Sequence, residues 1–166
     1  MTQLSTAQKS QEVLNYLKAR RSCKLKLMGD IGPSEDEIEE ILSVAARVPD
    51  HGKLFPWYFI VLNEYARKEL QPLLRQAYAE EEPDATEAKL ELESERFLRA
   101  PLVILVVSRA RRGKQPLWEQ LLSAGAACYN LCLASNALGY GANWLTEWYS
   151  YNTTFKQGLG LEAQDH

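Results

Sequence analysis

The sequence predicts an α+β domain in which helices outnumber strands and cover a central sheet on both faces. Two apolar segments predict strands, Trp57–Leu62 and Leu102–Val107. The second has no polar alternation, which is typical of a strand covered on both faces. The chain has 166 residues, of which 46% are apolar and 25% charged. That length supports a sizeable core, so we expect one domain over residues 1–166.

The first third of the chain predicts two helices. Apolar residues at helical spacing indicate a helix around residues 13–17. Ser34 and Glu37 have the spacing of a capping box in front of a second helix. We expect that helix to end at Val48, because the next residue is proline and disfavours helical geometry before it. The segment Pro49–Lys53 then predicts a loop.

Further elements follow the first predicted strand. Helical patterns cover residues 64–79 and 86–98, between the two strands. A long helix is predicted from Pro116 to Leu138, where glycines end it. A short strand is expected at Ala142–Thr146, and a small helix at Thr154–Gly158.

Composition argues against several classes of partner. The net charge of −3 and the pI near 5.5 give no electrostatic footprint for nucleic acid or for anionic lipid. Three cysteines, an odd number, without a secretory leader predict a reducing cytoplasm. The longest apolar segment, Leu121–Leu138, is interrupted by polar residues, so we interpret it as a buried helix and expect no membrane span.

The usual catalytic constellations are absent from the sequence. Its two histidines are His51 and His166, and it contains no nucleophile elbow, phosphate-binding P-loop or His-Glu-x-x-His pattern. Cys128 and Cys132 share a helix face, but two cysteines without further ligands favour core packing over a zinc site. We therefore predict no metal site and no catalytic side chain.

Three segments are candidates for ligand binding. Arg20–Lys24 places cations and a hydroxyl just beyond a helix, which suits a phosphate, although a solvated cluster at the helix end is the alternative. Pro49–Trp57 delivers His51 and Lys53 beside an aromatic strand, or is simply a proline-bounded connection. Gly139–Thr146 allows close backbone approach to a ligand, or is a helix stop with a buried tryptophan.

These segments belong to a longer series that runs through the chain. In order, the series comprises Arg20–Lys24, Ala45–Phe59, Ala100–Ile104, Trp118–Gln120, Ser123–Ala127 and Gly139–Trp144. Together the segments resemble the FMN-dependent nitroreductases, in particular the compact bacterial members. The likeness covers almost the whole chain, and the segments occur in the family's order.

The resemblance implies a fold and an activity. The fold would be nitroreductase-like α+β, with a mixed or antiparallel sheet between helices and a long central helix at a dimer axis. The protein would be a homodimer with two shared FMN sites, reduced by NADH or NADPH. Its acceptors would be nitroaromatics, quinones or similar small molecules. The flavin performs hydride and electron transfer in such enzymes, which agrees with the lack of a catalytic side chain.

The resemblance also implies cofactor contacts, residue by residue. The contacts to the flavin phosphate and ring would be Arg20, Arg21 and Ser22, and a cation near the pyrimidine edge would be Lys24. The contacts that reach the flavin from the partner subunit would be Arg47 and His51. The contacts along the isoalloxazine ring would be Trp144, Leu145 and Thr146.

Two departures from the family pattern stand out. Phe55 occupies a position where most relatives carry an amide, so one flavin hydrogen bond is either absent or supplied by Lys53. Relatives also continue past the region of Gly160 into another strand and a tail that crosses to the partner, whereas the last residue here is His166. We expect this C-terminal tail to be short or missing.

Two further expectations concern assembly and activity. The small residues of Ser123–Cys128 predict close packing of two copies of the long helix across a dimer axis. The alternatives to the leading function are a flavin- or nucleotide-binding module without turnover, and a family member specialised for another acceptor such as an enone.

Overall fold

The computed structural model describes residues 7–166. The helices are α1 (Gln11–Ala19), α2 (Glu35–Ala45), α3 (Glu64–Glu69), α4 (Gln71–Glu81), α5 (Glu87–Ser94), α6 (Leu117–Ala137) and α7 (Thr153–Gly158). The strands are β1 (Trp57–Leu62) and β2 (Val103–Ser108). Single 3-10 turns occupy Leu25–Leu27, Arg96–Arg99 and Trp148–Ser150.

The two strands form an antiparallel sheet with helices on both faces, as predicted. Trp57 pairs with Ser108 at one end of the ladder. On one face, Trp57 packs against small residues of α6, including Ala127. On the other face, Leu62 packs with Leu74 of α4 and with side chains of α7. Because successive strand residues point to opposite faces, this arrangement explains the continuously apolar sequence of both strands.

The capping box at α2 is confirmed, but the helix ends earlier than predicted. The Ser34 N–H donates to the Glu37 carboxylate at 2.8 Å, and the Ser34 hydroxyl accepts from the Glu37 N–H at 3.4 Å. The last helical residue is Ala45 rather than Val48. The side chain of Asn130 in α6 donates to the carbonyls of Val44, in the last turn of α2, and of Arg47, just after it, which stabilises the end of the helix.

The helical segments between the strands are confirmed with a break in each. Residues 64–79 divide into α3 and α4, because Pro72 lies in the first turn of α4 and lacks the N–H that would continue α3. The stretch 86–98 divides into α5 and a 3-10 turn. The long helix, α6, and the small helix, α7, have nearly the predicted bounds.

Two predictions are wrong. Ala142–Thr146 is not a strand, because no strand of residues 7–166 lies beside it to form a ladder. The small residues of α6 do not form a free face for a second helix. Ser123, Ala124 and Ala127 are buried within the chain, where their size allows the indole of Trp57 to lie against the helix. Within residues 7–166, no helix is both long enough and apolar enough to cross a bilayer.

Candidate functional site

The guanidinium of Arg20 is fixed at the end of α1. The Arg20 N–H donates to the carbonyl of Tyr16 at 2.9 Å, which closes the helix. The guanidinium lies over the ring of Tyr129 in α6, 5.7 Å from its centroid. Its Nε is buried and has no hydrogen-bond partner among the described residues. A positioned cation with an unused donor is suited to binding an anionic ligand.

The neighbours of Arg20 differ in what they contact. Arg21 turns back on the helix, and its Nη1 donates to the carbonyls of Lys18 at 2.9 Å and Arg20 at 2.8 Å. That guanidinium satisfies the carboxyl end of α1, as the alternative interpretation of this cluster expects. Ser22 and Lys24 are both exposed. The polar groups that face solvent here are therefore a hydroxyl and an ammonium beside Arg20.

The cationic segment is joined to the glycine-rich segment that follows α6. The Cys23 N–H donates to the carbonyl of Ala142 at 2.9 Å, and the Asn143 side chain donates to the Cys23 carbonyl at 2.7 Å. A Cβ added to Gly141 would lie 2.9 Å from the Cys23 sulfur, closer than real contacts allow. Glycine therefore permits the close approach of the two segments, whereas the sequence predicted close backbone approach to a ligand here.

The residues predicted to line the flavin ring are on the surface. Trp144 is 52% exposed, and Leu145 and Thr146 are also exposed. This excludes the alternative in which Trp144 is a core residue. The ring of Trp144 lies 3.7 Å from the position that a Cβ on Gly125 would occupy. An exposed indole resting on a glycine of α6 offers a flat apolar surface beside the cationic segment.

The aromatic hydroxyl of Tyr140 anchors the start of this segment. It donates to the Glu37 carboxylate at 2.8 Å. Hydrogen bonds from the Ser34 main chain and from Tyr140 lower the pKa of Glu37. Gly139 has a φ of +91°, which ends α6 in the left-handed region. The segment thus leaves α6 on a fixed path toward Cys23.

The second group of predicted contacts, Arg47 and His51, lies in the loop between α2 and β1. Both side chains are exposed. Nδ1 of His51 lies 2.6 Å from Oε2 of Glu119, near the start of α6. A carboxylate accepts only, so this bond places a proton on Nδ1 and directs Nε2 away from Glu119. The Arg47 carbonyl accepts from Asn130 at 3.1 Å.

The loop that carries His51 has a strained backbone. Lys53 and Phe55 have φ values of +53° and +48°, in the left-handed region that side chains avoid. The Asp50 carboxylate accepts from the Leu54 N–H at 3.1 Å and the Phe55 N–H at 2.8 Å, which holds this geometry. Phe55 is nevertheless 67% exposed. Backbone strain that presents a large apolar side chain to solvent is typical of a binding loop.

The structure brings one group of predicted contacts together and separates the other. Arg20–Lys24 and Trp144–Thr146 are adjacent, through Cys23. The two groups contact α6 at different points along its length. Arg20 lies over Tyr129, whereas His51 bonds to Glu119, ten positions earlier in the helix. At 1.5 Å of rise per residue, this corresponds to about 15 Å along the helix.

The large cavity of the described chain adjoins the cationic segment through Cys23, but the cations of that segment do not line it. It has a volume of about 690 Å³ and is bounded by β2, α6 and the segment 140–146. Of the predicted flavin contacts, Trp144, Leu145 and Thr146 contribute to its lining. The predicted contacts that do not line it are Arg20, Arg21, Ser22, Lys24, Arg47 and His51.

Sequence reasoning missed several residues that position the site. Glu119 and His51 are 68 positions apart, so a single sequence gives no signal that they pair. The same holds for Tyr129 under Arg20 and for Asn143 against Cys23. The role of Asp50 has a local signal, because an aspartate just before a glycine turn commonly accepts from main-chain N–H groups downstream.

Comparisons with known sequences give the family. The model of the Nitroreductase family matches residues 17–166. A "Putative NAD(P)H nitroreductase" of Haemophilus influenzae is 38% identical over 156 residues, which cover 93% of this chain and 83% of the relative. The "Putative NAD(P)H nitroreductase YdjA" of Escherichia coli K12 is 28% identical over 155 residues, with 93% and 82% covered.

Solved structures show the same fold. A nitroreductase-like family protein from Bacillus cereus superposes with a TM-score of 0.81 at 25% identity, over 97% of this chain and 83% of that one. A Bacteroides fragilis nitroreductase with bound FMN gives 0.67 at 22% identity, over 94% and 83%. The fold, the family match and the relative from H. influenzae agree: this chain belongs to the nitroreductase family and is an oxidoreductase.

Proposed function

We propose that the protein is an FMN-dependent NAD(P)H oxidoreductase that reduces nitroaromatics, quinones or similar small-molecule acceptors. The observation that carries the proposal is the buried, unpartnered Nε of Arg20, in a segment that Cys23 joins to the segment exposing Trp144. Two solved structures support it. The B. fragilis neighbour has bound FMN, and FMN-dependent nitroreductase NfnB of Mycobacterium smegmatis is in complex with NADPH. NfnB superposes with a TM-score of 0.68 at 19% identity, over 92% of this chain and 82% of that one.

The residues present fit a flavin mononucleotide. Arg20, Ser22 and Lys24 offer donors for a phosphate and for the polar edge of the ring, as charge-assisted hydrogen bonds require. Trp144 and Leu145 offer an apolar surface for the ring. Arg21 contributes to the phosphate if it exchanges its two carbonyl partners for the ligand.

The chain's own contribution to turnover is positioning and electrostatics. When bound, FMN accepts a hydride from the nicotinamide and passes electrons to the acceptor. Lys24 and Arg20 would stabilise the negative charge that develops at the pyrimidine edge of the ring. Trp144, Leu145 and Thr146 would exclude water from one side of the site. No side chain has to act as an acid, base or nucleophile in this scheme.

The proposed assembly is a homodimer with shared flavin sites. Support comes from the apolar side of α6 that faces solvent, which comprises Leu117, Trp118, Leu121, Leu122 and Tyr129. A contiguous exposed apolar surface of this kind is typical of an interface. It would place Arg47 and His51 of one subunit near the cationic segment of the other. This agrees with their separation within one chain.

Two related proposals concern the domain and its location. We propose that residues 1–166 act as one flavin-binding domain, because helices on both faces of the sheet pack their buried side chains against its strands. We place it in the cytoplasm, where the free thiols Cys23, Cys128 and Cys132 would stay reduced. Burial raises the pKa of Cys128 to about 11, so this thiol stays protonated and unreactive at neutral pH.

The test is an FMN titration followed by steady-state kinetics. Protein saturated with FMN is assayed for oxidation of NADH and of NADPH, with a nitroaromatic, a quinone or an enone as acceptor. We expect tight flavin binding and acceptor-dependent oxidation of at least one nicotinamide. Flavin binding without any nicotinamide oxidation would identify a binding module instead, and turnover with the enone alone would identify a specialised acceptor.

A further inference from the structure

Two surface loops are in contact near the start of α6. One is the His51 loop, residues 49–55, and the other is the arginine-rich loop, residues 109–115. A Cβ added to Gly52 would lie 2.5 Å from Nε2 of Gln115, so the loops leave no room for a side chain between them. Lys53 follows Gly52 and Lys114 precedes Gln115, which places a cation of each loop beside the contact.

The His51 loop has a fixed main chain. Gly52, Lys53 and Phe55 have φ values of +86°, +53° and +48°, all in the left-handed region. The Asp50 carboxylate holds this path by accepting from the N–H groups of Leu54 and Phe55. The loop therefore presents its side chains without having to become ordered on binding, which lowers the entropic cost of holding a ligand.

The arginine-rich loop is fixed by one buried amide. The Gln120 side chain, 3% exposed, accepts from the Arg111 N–H at 2.9 Å and donates to the carbonyls of Arg111 at 2.8 Å and Gln115 at 3.2 Å. The Arg111 guanidinium is tied to Asp165 at 3.1 Å. At the tip of the loop, a Cβ added to Gly113 would meet no atom of the described residues within 4 Å. The tip is therefore open to a ligand.

The two loops carry three cations that are not neutralised. Lys53, Arg112 and Lys114 are exposed, and none of them forms an ion pair in the part of the chain that the structure describes. The carboxylates of the region are engaged, because Asp50 accepts from main-chain N–H groups and Glu119 bonds to an imidazole. Cations held on fixed loops favour an anionic ligand, and a guanidinium can bind a phosphate through two parallel hydrogen bonds.

An aromatic ring stands beside these cations. Phe55 is 67% exposed and lies two residues after Lys53. Its ring meets that of the buried Trp57 edge to face, with 6.5 Å between the centroids and an angle of 84°. A ring that is supported on one side and otherwise open to solvent is suited to stacking on a planar base. An aromatic ring and cations on the same loop match a ligand that joins a base to a phosphate.

We propose that the His51 loop and the arginine-rich loop bind the adenosine end of NADPH. The adenine would stack on Phe55, and the three cations would hold the 2′-phosphate. NADH has a hydroxyl in place of this phosphate and gains no charge-assisted bond from the cations, so the site would make the enzyme prefer NADPH. The inference rests on the proposed function and adds the choice of nicotinamide to it.

This site is separate from the predicted contacts to the flavin phosphate. Those contacts are in Arg20–Ser22, whereas the nucleotide site is built on the two loops beside α6. The His51 loop carries one of the proposed contacts to the flavin of the partner subunit. A dinucleotide whose adenosine end is held on this loop would thus be bound next to a flavin, as hydride transfer requires.

The first test measures binding to the FMN-loaded protein by isothermal titration calorimetry. The probes are 2′,5′-ADP and 5′-ADP, which have the same number of phosphates and differ in where one of them is attached. We expect 2′,5′-ADP to bind about 10-fold more tightly or better, as one or more charge-assisted bonds to the 2′-phosphate would give. Arg112→Ala combined with Lys114→Ala should remove this difference. Lys68→Ala, at an exposed cation of α3, should preserve it.

The aromatic part of the site is tested separately. Phe55→Ala should weaken the binding of both probes by about 5- to 150-fold, the range that loss of stacking on one base gives. The matched control is Tyr65→Ala, because Tyr65 is 71% exposed but lies on α3. Unchanged affinities in Phe55→Ala, or equal affinities of the two probes for the wild-type chain, would overturn the proposal.

Steady-state kinetics distinguish this inference from the proposed function. We expect a higher kcat/KM for NADPH than for NADH, and the double variant should raise the KM for NADPH while leaving the kinetics with NADH unchanged. Equal kcat/KM values for the two nicotinamides would overturn the inference and leave the proposed function standing. An effect of the double variant confined to an anionic acceptor such as 4-nitrobenzoate would also overturn it. Tight binding of 2′,5′-ADP without oxidation of either nicotinamide would support the site and contradict the proposed function.

Discussion

The indole Nε1 of Trp57 lies 3.1 Å from Oγ of Ser123 and donates to it. The Ser123 hydroxyl in turn donates to the carbonyl of Pro49 at 2.8 Å. One buried hydroxyl therefore ties the first strand, α6 and the loop that presents His51. Because both partners would otherwise be unsatisfied, this serine connects the stability of the core to the geometry of the loop.

Ser123→Ala should lower the free energy of unfolding by about 1 to 3 kcal/mol, because the buried indole N–H of Trp57 and the part-buried carbonyl of Pro49 lose their partner. Chemical denaturation monitored by tryptophan fluorescence measures the change. Ser135→Ala is the matched control: Ser135 is also a buried serine of α6, but its hydroxyl donates only to the Leu131 carbonyl within the same helix. Equal effects of the two substitutions would show that the three-way connection adds nothing.

Arg20→Ala should weaken FMN binding by about 10- to 150-fold. The range follows from one charge-assisted hydrogen bond, worth about 1.5 to 3 kcal/mol. Titration of flavin fluorescence with wild-type and variant protein gives the ratio of Kd values. Lys26→Ala removes an exposed cation near the site and serves as the control. A Kd that does not change with Arg20→Ala would remove this residue from the flavin site.

Local chemistry decided which features could be predicted from the sequence. The capping box of Ser34 depends on neighbours in the chain and was predicted. The break near Pro72 also has a local cause, although one continuous helix was predicted there. The strand β1 was also predictable, because its aromatic and β-branched run is bounded by Pro56 and Asn63. Family resemblance, rather than any local pattern, gave the candidate flavin contacts.

Features that depend on distant partners were not predictable. The expected strand at Ala142–Thr146 required a neighbour at ladder distance, and its pattern could not show that none of the residues placed by the structure lies there. The small residues of α6 were equally ambiguous, because small side chains permit close approach to any partner. In the structure that partner is Trp57 of the same chain.

Gly141→Ala should separate the cationic segment from the segment that carries Trp144. The added Cβ would lie 2.9 Å from Cys23 Sγ and 3.0 Å from Cys23 Cβ, so the two segments must move apart. We expect weaker FMN binding, measured by the same titration, with Gly29→Ala as a control because nothing lies within 4 Å of its Cβ. Combining Gly141→Ala with Cys23→Gly should restore binding. Failure of this rescue would assign the defect to something other than the clash.

Leu122→Glu should prevent dimer formation and weaken flavin binding together. Leu122 is 53% exposed on the apolar side of α6, and a carboxylate there would have to be desolvated in an interface. Sedimentation velocity and flavin titration measure the two effects. Leu92→Glu is the matched control, because Leu92 is 55% exposed but lies on α5. A wild-type chain that is strictly monomeric yet binds flavin tightly would contradict the shared site.

Glu93 should make the stability of the protein fall in acid. Its side chain is 1% exposed. Burial alone would raise the pKa, but hydrogen bonds from Arg96, Lys89 and the Trp148 indole outweigh it and lower the pKa from 4.5 to about 2. A carboxyl whose folded pKa is depressed stabilises the protein above its unfolded pKa, and this contribution is lost as the pH falls through the folded pKa. The stabilisation should therefore be complete above about pH 4.5 and disappear toward pH 2.

The size of this effect can be isolated with one substitution. A shift from 4.5 to about 2 corresponds to about 3 kcal/mol at neutral pH. Glu93→Gln removes the titrating group, so the difference in unfolding free energy between wild type and variant should shrink by about that amount between pH 6 and pH 2. Urea denaturation across this range measures it, with Glu95→Gln as an exposed neighbouring control. A difference that stays constant with pH would show that Glu93 has the same pKa in the folded and unfolded chain.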